Sequence, residues 1–108
     1  EVDDLRTDTT GTVTVEKISE GKSNLSIINA FTDVVLSTAD ITVTDNVSKS
    51  EADLIDAYSG TSGTVTLTSI TDTVSNINTV QTNTDISLAA SAITVTDDAS
   101  FTNATDIN

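Results

Sequence analysis

Two phrases recur in this chain at one fixed distance. Residues 11–14 read Gly-Thr-Val-Thr and so do residues 63–66; residues 41–45 read Ile-Thr-Val-Thr-Asp and so do residues 93–97. Both recurrences are 52 positions apart, and no gap is needed to align them. A period of this size belongs to stacked arrays, where each unit buries its apolar face only against its neighbours. It constrains the fold more than any composition value does. The 108 residues read as two copies of one 52-residue repeat, starting and ending in mid-repeat, with no separate domains.

Within the period, residues 12–15, 41–44, 64–67 and 93–96 alternate threonine with an aliphatic residue. Alternation with period two predicts strands with one buried face, and β-branched side chains suit a pleated surface. Val13, Ile41, Val43, Val65, Ile93 and Val95 are the expected core. Helical signals lie between the strands. Ser48 and Glu51 have the spacing of a capping box, Val47 precedes them as a staple, and Leu54, Ile55 and Tyr58 share a face that Gly60 and Gly63 close. A second helix is expected from Asp72 to about Val80, with Val74 and Ile77 on one face, and its counterpart at 21–31 carries Leu25 and Ile28.

Each period thus holds two strand-plus-crossover units, one over about 41–62 and the other over about 63–92. Crossovers of that length favour parallel pairing. The expected fold is a repeat solenoid, with a parallel β-sheet on one side and short helices or loops as crossovers. The alternative is an all-β helix with extended crossovers.

Composition narrows the chemistry. The apolar fraction is 36% with 3% aromatics, so the core must be thin and aliphatic. Seventeen acidic residues against four basic ones (Arg6, Lys17, Lys22, Lys49) give a net charge of −13, which argues against binding a phosphate backbone. Without His or Cys the common nucleophile–base pairs are missing, and an enzyme is not expected. No apolar run is long enough to span a membrane.

Two ligand chemistries are compatible with the repeated residues. Asp45 and Asp97 end equivalent strands, Asp72 ends another, Asp98 follows Asp97, and Glu20 fills the matching place in the first repeat. Aligned along one edge, Asp45, Asp72, Asp97 and Asp98 would supply oxygens for calcium, or they would cap helices and form turns. The second chemistry rests on Thr12, Thr14, Thr42, Thr44, Thr64, Thr66, Thr94 and Thr96, which in one sheet would form two ranks of hydroxyls and methyls. Such flat arrays resemble the ice-binding faces of β-solenoid antifreeze proteins. Threonine is also an ordinary outward-facing strand residue. Three sequons begin at Asn24, Asn46 and Asn103.

The phrase Leu-Ser-Thr-Ala-Asp-Ile-Thr-Val-Thr-Asp at 36–45, with its partner at 88–97, resembles the tandem repeats of giant secreted surface proteins of cyanobacteria and other aquatic bacteria. The stretch from Glu51 through Gly63 to Asp72 is similar as well, whereas residues 16–22 depart from the pattern. The resemblance implies an extracellular structural or adhesive tract in a surface layer, sheath or fibre. Because residues 105–108 align with both 53–56 and 1–4, copies placed head to tail would continue the pattern. The expected partners are therefore further copies or adjacent repeats, joined through residues 1–10 and 98–108. Neither nucleic acid nor a membrane is expected as a partner.

Overall fold

The computed structural model describes residues 2–60 and 62–98, and the expected junction at 98–108 lies outside them apart from Asp98. Eleven elements follow in order: α1 (Val2–Asp8), β1 (Val13–Thr14), β2 (Lys17–Glu20), α2 (Lys22–Asn29), β3 (Val34–Val35), β4 (Asp40–Val47), α3 (Lys49–Ser59), β5 (Val65–Asp72), α4 (Val74–Gln81), β6 (Ile86–Ser87) and β7 (Ala92–Val95). It is an α/β fold of parallel strands joined by short helices, so extended all-β crossovers do not occur in the described residues.

Among the described residues all five strand pairings are parallel. One sheet has the order β2-β4-β5-β6, with β7 also on β5; β1 and β3 form a second, two-stranded sheet. The threonine-bearing segments therefore do not share one sheet. In the large sheet Ile18 faces Ile41, Ile41 faces Val65, Val65 faces Ile86, and Ile70 faces Ile93. Helices α3 and α4 carry the chain from β4 to β5 and from β5 to β6, each pair adjacent and parallel, whereas β3 and β7 return one strand further back, to β1 and β5.

Local sequence explains the helices. At α3 the Ser48 side chain accepts from the Glu51 N–H and the Glu51 side chain accepts from the Ser48 N–H, a complete capping box. Gly60 ends this helix at φ 65°, where a side chain would be strained. Thr73 caps α4 through its side chain. In α2 the residue at that place is Gly21, which offers no side chain.

The core forms where helices lie on the sheet. Ile41, Val43, Val47, Val65, Leu67 and Ile70 from the strands are fully enclosed with Leu25, Ala52 and Ile77 from the helices. Val13 and Val95, expected to be core, are half-buried against this cluster. Ile93, also expected to be core, remains 37% exposed because no strand covers the outer side of β7 among the described residues. No described helix is long and apolar enough to cross a membrane.

Candidate functional site

Two features of the surface are built by the fold: a row of carboxylates at the helix starts, and the uncovered strand edges at the ends of the sheet. Asp45, Asp72, Asp97 and Asp98 are the residues expected to bind a metal. Asp45 Oδ1 accepts the backbone N–H of Lys22 at 2.9 Å. Asp72 Oδ2 accepts that of Lys49 at 2.8 Å, and Asp97 Oδ1 that of Val74 at 2.8 Å. In each case acceptor and donor are 23 residues apart, and the donor is the first residue of α2, α3 or α4. Each aspartate therefore closes the helix of the preceding unit, where unpaired N–H groups and the positive end of the dipole favour a negative charge.

The three carboxylates serve three different helices and do not converge. No group of three His, Cys, Asp or Glu side chains is placed to hold a metal ion among the described residues. Asp98 is exposed at the outer end, beside Asp97 in sequence. Glu20 binds the side chain of Asn24 at 2.9 Å, as Asp72 binds that of Asn76 at 2.7 Å.

Ionisation follows from these contacts. The Asn76 amide holds the Asp72 carboxyl below its usual range, assisted by the Lys49 and Thr73 N–H groups and opposed by burial. Lys22 lowers the Glu51 carboxyl, to which the Ser48 N–H also donates, and Glu51 in turn raises the Lys22 ammonium.

The eight threonines are divided among several places. Thr42 lies beside Thr66, flanked by Ser19 and Ser87, on the side of the sheet opposite the buried Ile41, Val43, Val65 and Leu67. Thr44 sits in the register shift between Val43 and Asn46. Thr94 pairs with Thr71, and Thr14 pairs with Val35 in the separate sheet. Thr12, Thr64 and Thr96 lie outside the strands. The structure thus brings together Thr42 and Thr66, but not the full set.

The sheet ends carry shallow grooves of mixed polar and apolar lining. At one end a groove of about 480 Å³ lies over Ile18, Ile28 and Phe31 beside the edge of β2. At the other end a groove of about 530 Å³ lies over Ile86, Leu88 and Ile93. Neither contains an arrangement of a nucleophile with a base. The groove residues were not foreseen as sites, although their spacing repeats the buried core set: Ile86, Leu88 and Ile93 stand 52 positions after Val34, Leu36 and Ile41.

Glycine 63 marks the closest approach between neighbouring units. A Cβ there would come within 2.0 Å of the Ala39 carbonyl oxygen and 2.3 Å of Ser59 Oγ, and Ser59 itself donates to that carbonyl at 2.9 Å. Only a residue without a side chain fits. Neither a protein-family model nor a curated protein nor a solved structure matches the chain.

Proposed function

We propose that this chain is a non-enzymatic structural module, an α/β solenoid that stacks end to end in an extracellular surface protein, sheath or filament. The observation that carries the reading is a coincidence of three periods. Helix α2 recurs as α4, 52 positions on; the β2–β4 pairing Ile18 with Ile41 recurs as the β5–β7 pairing Ile70 with Ile93; and Val13 with Val34 recurs as Val65 with Ile86. A unit that repeats in this way leaves unpaired strand edges and half a core layer at each end, and another unit of the same kind is the surface that fits both.

Two further observations agree with an exterior structural role. The chain has no cysteine to protect, and its charge of −13 keeps an aliphatic-cored protein dispersed until its ends meet. The test is the mass of the isolated chain by light scattering over a wide concentration range. Stacking predicts a mass that grows with concentration as a series of oligomers. A folded species that stays at 11.2 kDa throughout would contradict it.

A further inference from the structure

Resting on that stacking reading, we propose the register of the junction: the segment Gly11 to Lys17 of the following copy adds as a parallel strand to the outer edge of β7. Val13 then lies beside Ile93, Thr14 beside Thr94 and Lys17 beside Asp98. The register is the β4–β5 pairing carried forward by one period, since Ile41 faces Val65, Thr42 faces Thr66 and Asn46 faces Ser69.

Three independent observations meet at this junction. The first is burial. Ile41, Val43, Val65 and Leu67 are fully enclosed, whereas their period counterparts Ile93 and Val95 at one end and Val13 and Val15 at the other are not. The two ends present the two halves of the layer that β4 and β5 complete in the interior.

The second is Gly11. It occupies the place of Gly63, yet a Cβ on Gly11 would meet nothing nearer than Thr9 Oγ1 at 3.6 Å, and its φ is not positive. Nothing among the described residues demands glycine there. In the proposed register Gly11 passes the Ser91 carbonyl of the preceding copy, as Gly63 passes the Ala39 carbonyl.

The third is charge. In the interior Ser69 Oγ donates to Asn46 Oδ1 at 2.7 Å. Their counterparts are Lys17 and Asp98, a cation at one end and an anion at the other. Lys22 and Lys49 are paired with Glu51 and Asp53, while exposed Lys17 has no ion pair among the described residues.

The register is read with cysteines, of which the chain has none. Facing residues of neighbouring strands lie about 4.8 Å apart and suit a disulfide, whereas a shift of two residues places them about 8 Å apart and does not. Thr94→Cys mixed with Thr14→Cys is expected to give, on mild oxidation, at least tenfold more mixed dimer by mass than Thr94→Cys mixed with Thr12→Cys. In parallel, Gly11→Ala is expected to keep the wild-type melting temperature while its association weakens at least tenfold. Equal yields from the two mixtures, or a Gly11→Ala protein that associates like the wild type or fails to fold, would overturn the register. If wild type grows in mass while these results fail, stacking stands and only the register falls. If wild type remains monomeric at every concentration, both fall.

Discussion

Asp45 lies within β4 rather than ending it as expected, Asp72 ends β5 and Asp97 follows β7; each serves the helix that began 23 residues before it, so one side chain ties two successive units together. Asp72 is the best-connected of the three, accepting from Lys49 N–H, Thr73 N–H and the Asn76 amide. Hydrogen bonds to a charged group contribute about 1.5–3 kcal/mol each at most when their loss strands a buried partner. For this half-exposed site, Asp72→Ala is expected to destabilise the fold by roughly 2 kcal/mol, read as a lower midpoint in chemical denaturation. The pH dependence has a definite sign. A carboxyl held below its unfolded value binds fewer protons when folded, so its stabilisation is present above the ordinary carboxylate range and is lost as pH falls through the depressed value. Thermal melts between neutral and acid pH should therefore fall more steeply for wild type than for Asp72→Asn; equal slopes would remove this role. Gly63→Ala, by forcing a methyl onto the Ala39 carbonyl, is expected to cost more than about 3 kcal/mol by overpacking, or to abolish folding. The acidic residues were legible as caps or turn formers. Which helix each one caps was not, because the pairing joins residues 23 positions apart and leaves no recurrence of letters to find.

The elements differ in how openly the sequence announces them. Helix α3 is written in its capping box, but of the face expected from Leu54, Ile55 and Tyr58 only Ile55 is fully buried; Leu54 is 56% exposed, and Ala52 and Ser59 lie inward instead. Helix α4 is legible in Val74 and Ile77, and of the two candidate caps, Asp72 and Thr73, it is Thr73 whose side chain accepts the Asn76 N–H. The strands β4 and β5 extend beyond the Thr-Val-Thr phrases because Asp45 to Val47 and Ser69 to Asp72 continue the pairing past a register shift that breaks the alternation. Strand β1 keeps only Val13–Thr14 of the alternating run expected at 12–15; β3 and β6 have two residues each, too few to show a period, and β2 lies in the stretch where the first repeat departs from the second. Position within the stack then sets the cost of truncation. Ile70 is fully enclosed between β4 and β7, and Ile70→Ala is expected to destabilise the isolated chain by about 2–5 kcal/mol. Ile93 occupies the matching strand position at the uncovered edge, so Ile93→Ala is expected to cost the isolated chain under about 1 kcal/mol while weakening association several-fold. Denaturation and scattering on the two variants separate these effects; a similar loss of stability from both would mean that β7 is already covered.

At the scale of the molecule, an elongated body of 55 × 22 × 19 Å carries net charge −13. Stacking such bodies brings like charges together, and salt screens that repulsion within about 10 Å at 0.1 M. Association is therefore expected to strengthen several-fold between about 0.01 M and 0.15 M salt, even though the Lys17–Asp98 contact is itself weakened. Weaker association at higher salt would mean that the end-to-end ion pairs outweigh the total charge. The 52-residue recurrence was legible from the letters alone, and so was the parallel α/β architecture that crossovers of this length impose. The division into two sheets was not, because it depends on where each short strand finds its partner. The fold requires paired strands to run in the same direction. Nuclear magnetic resonance measures this most directly, through contacts between the backbone protons of Ile41 and those of Thr64 and Val65, and between Ile70 and Ile93. The account predicts the amide-to-α-proton pattern of parallel neighbours at both places. Close α-proton pairs across these strands, the mark of antiparallel hairpins, would contradict it.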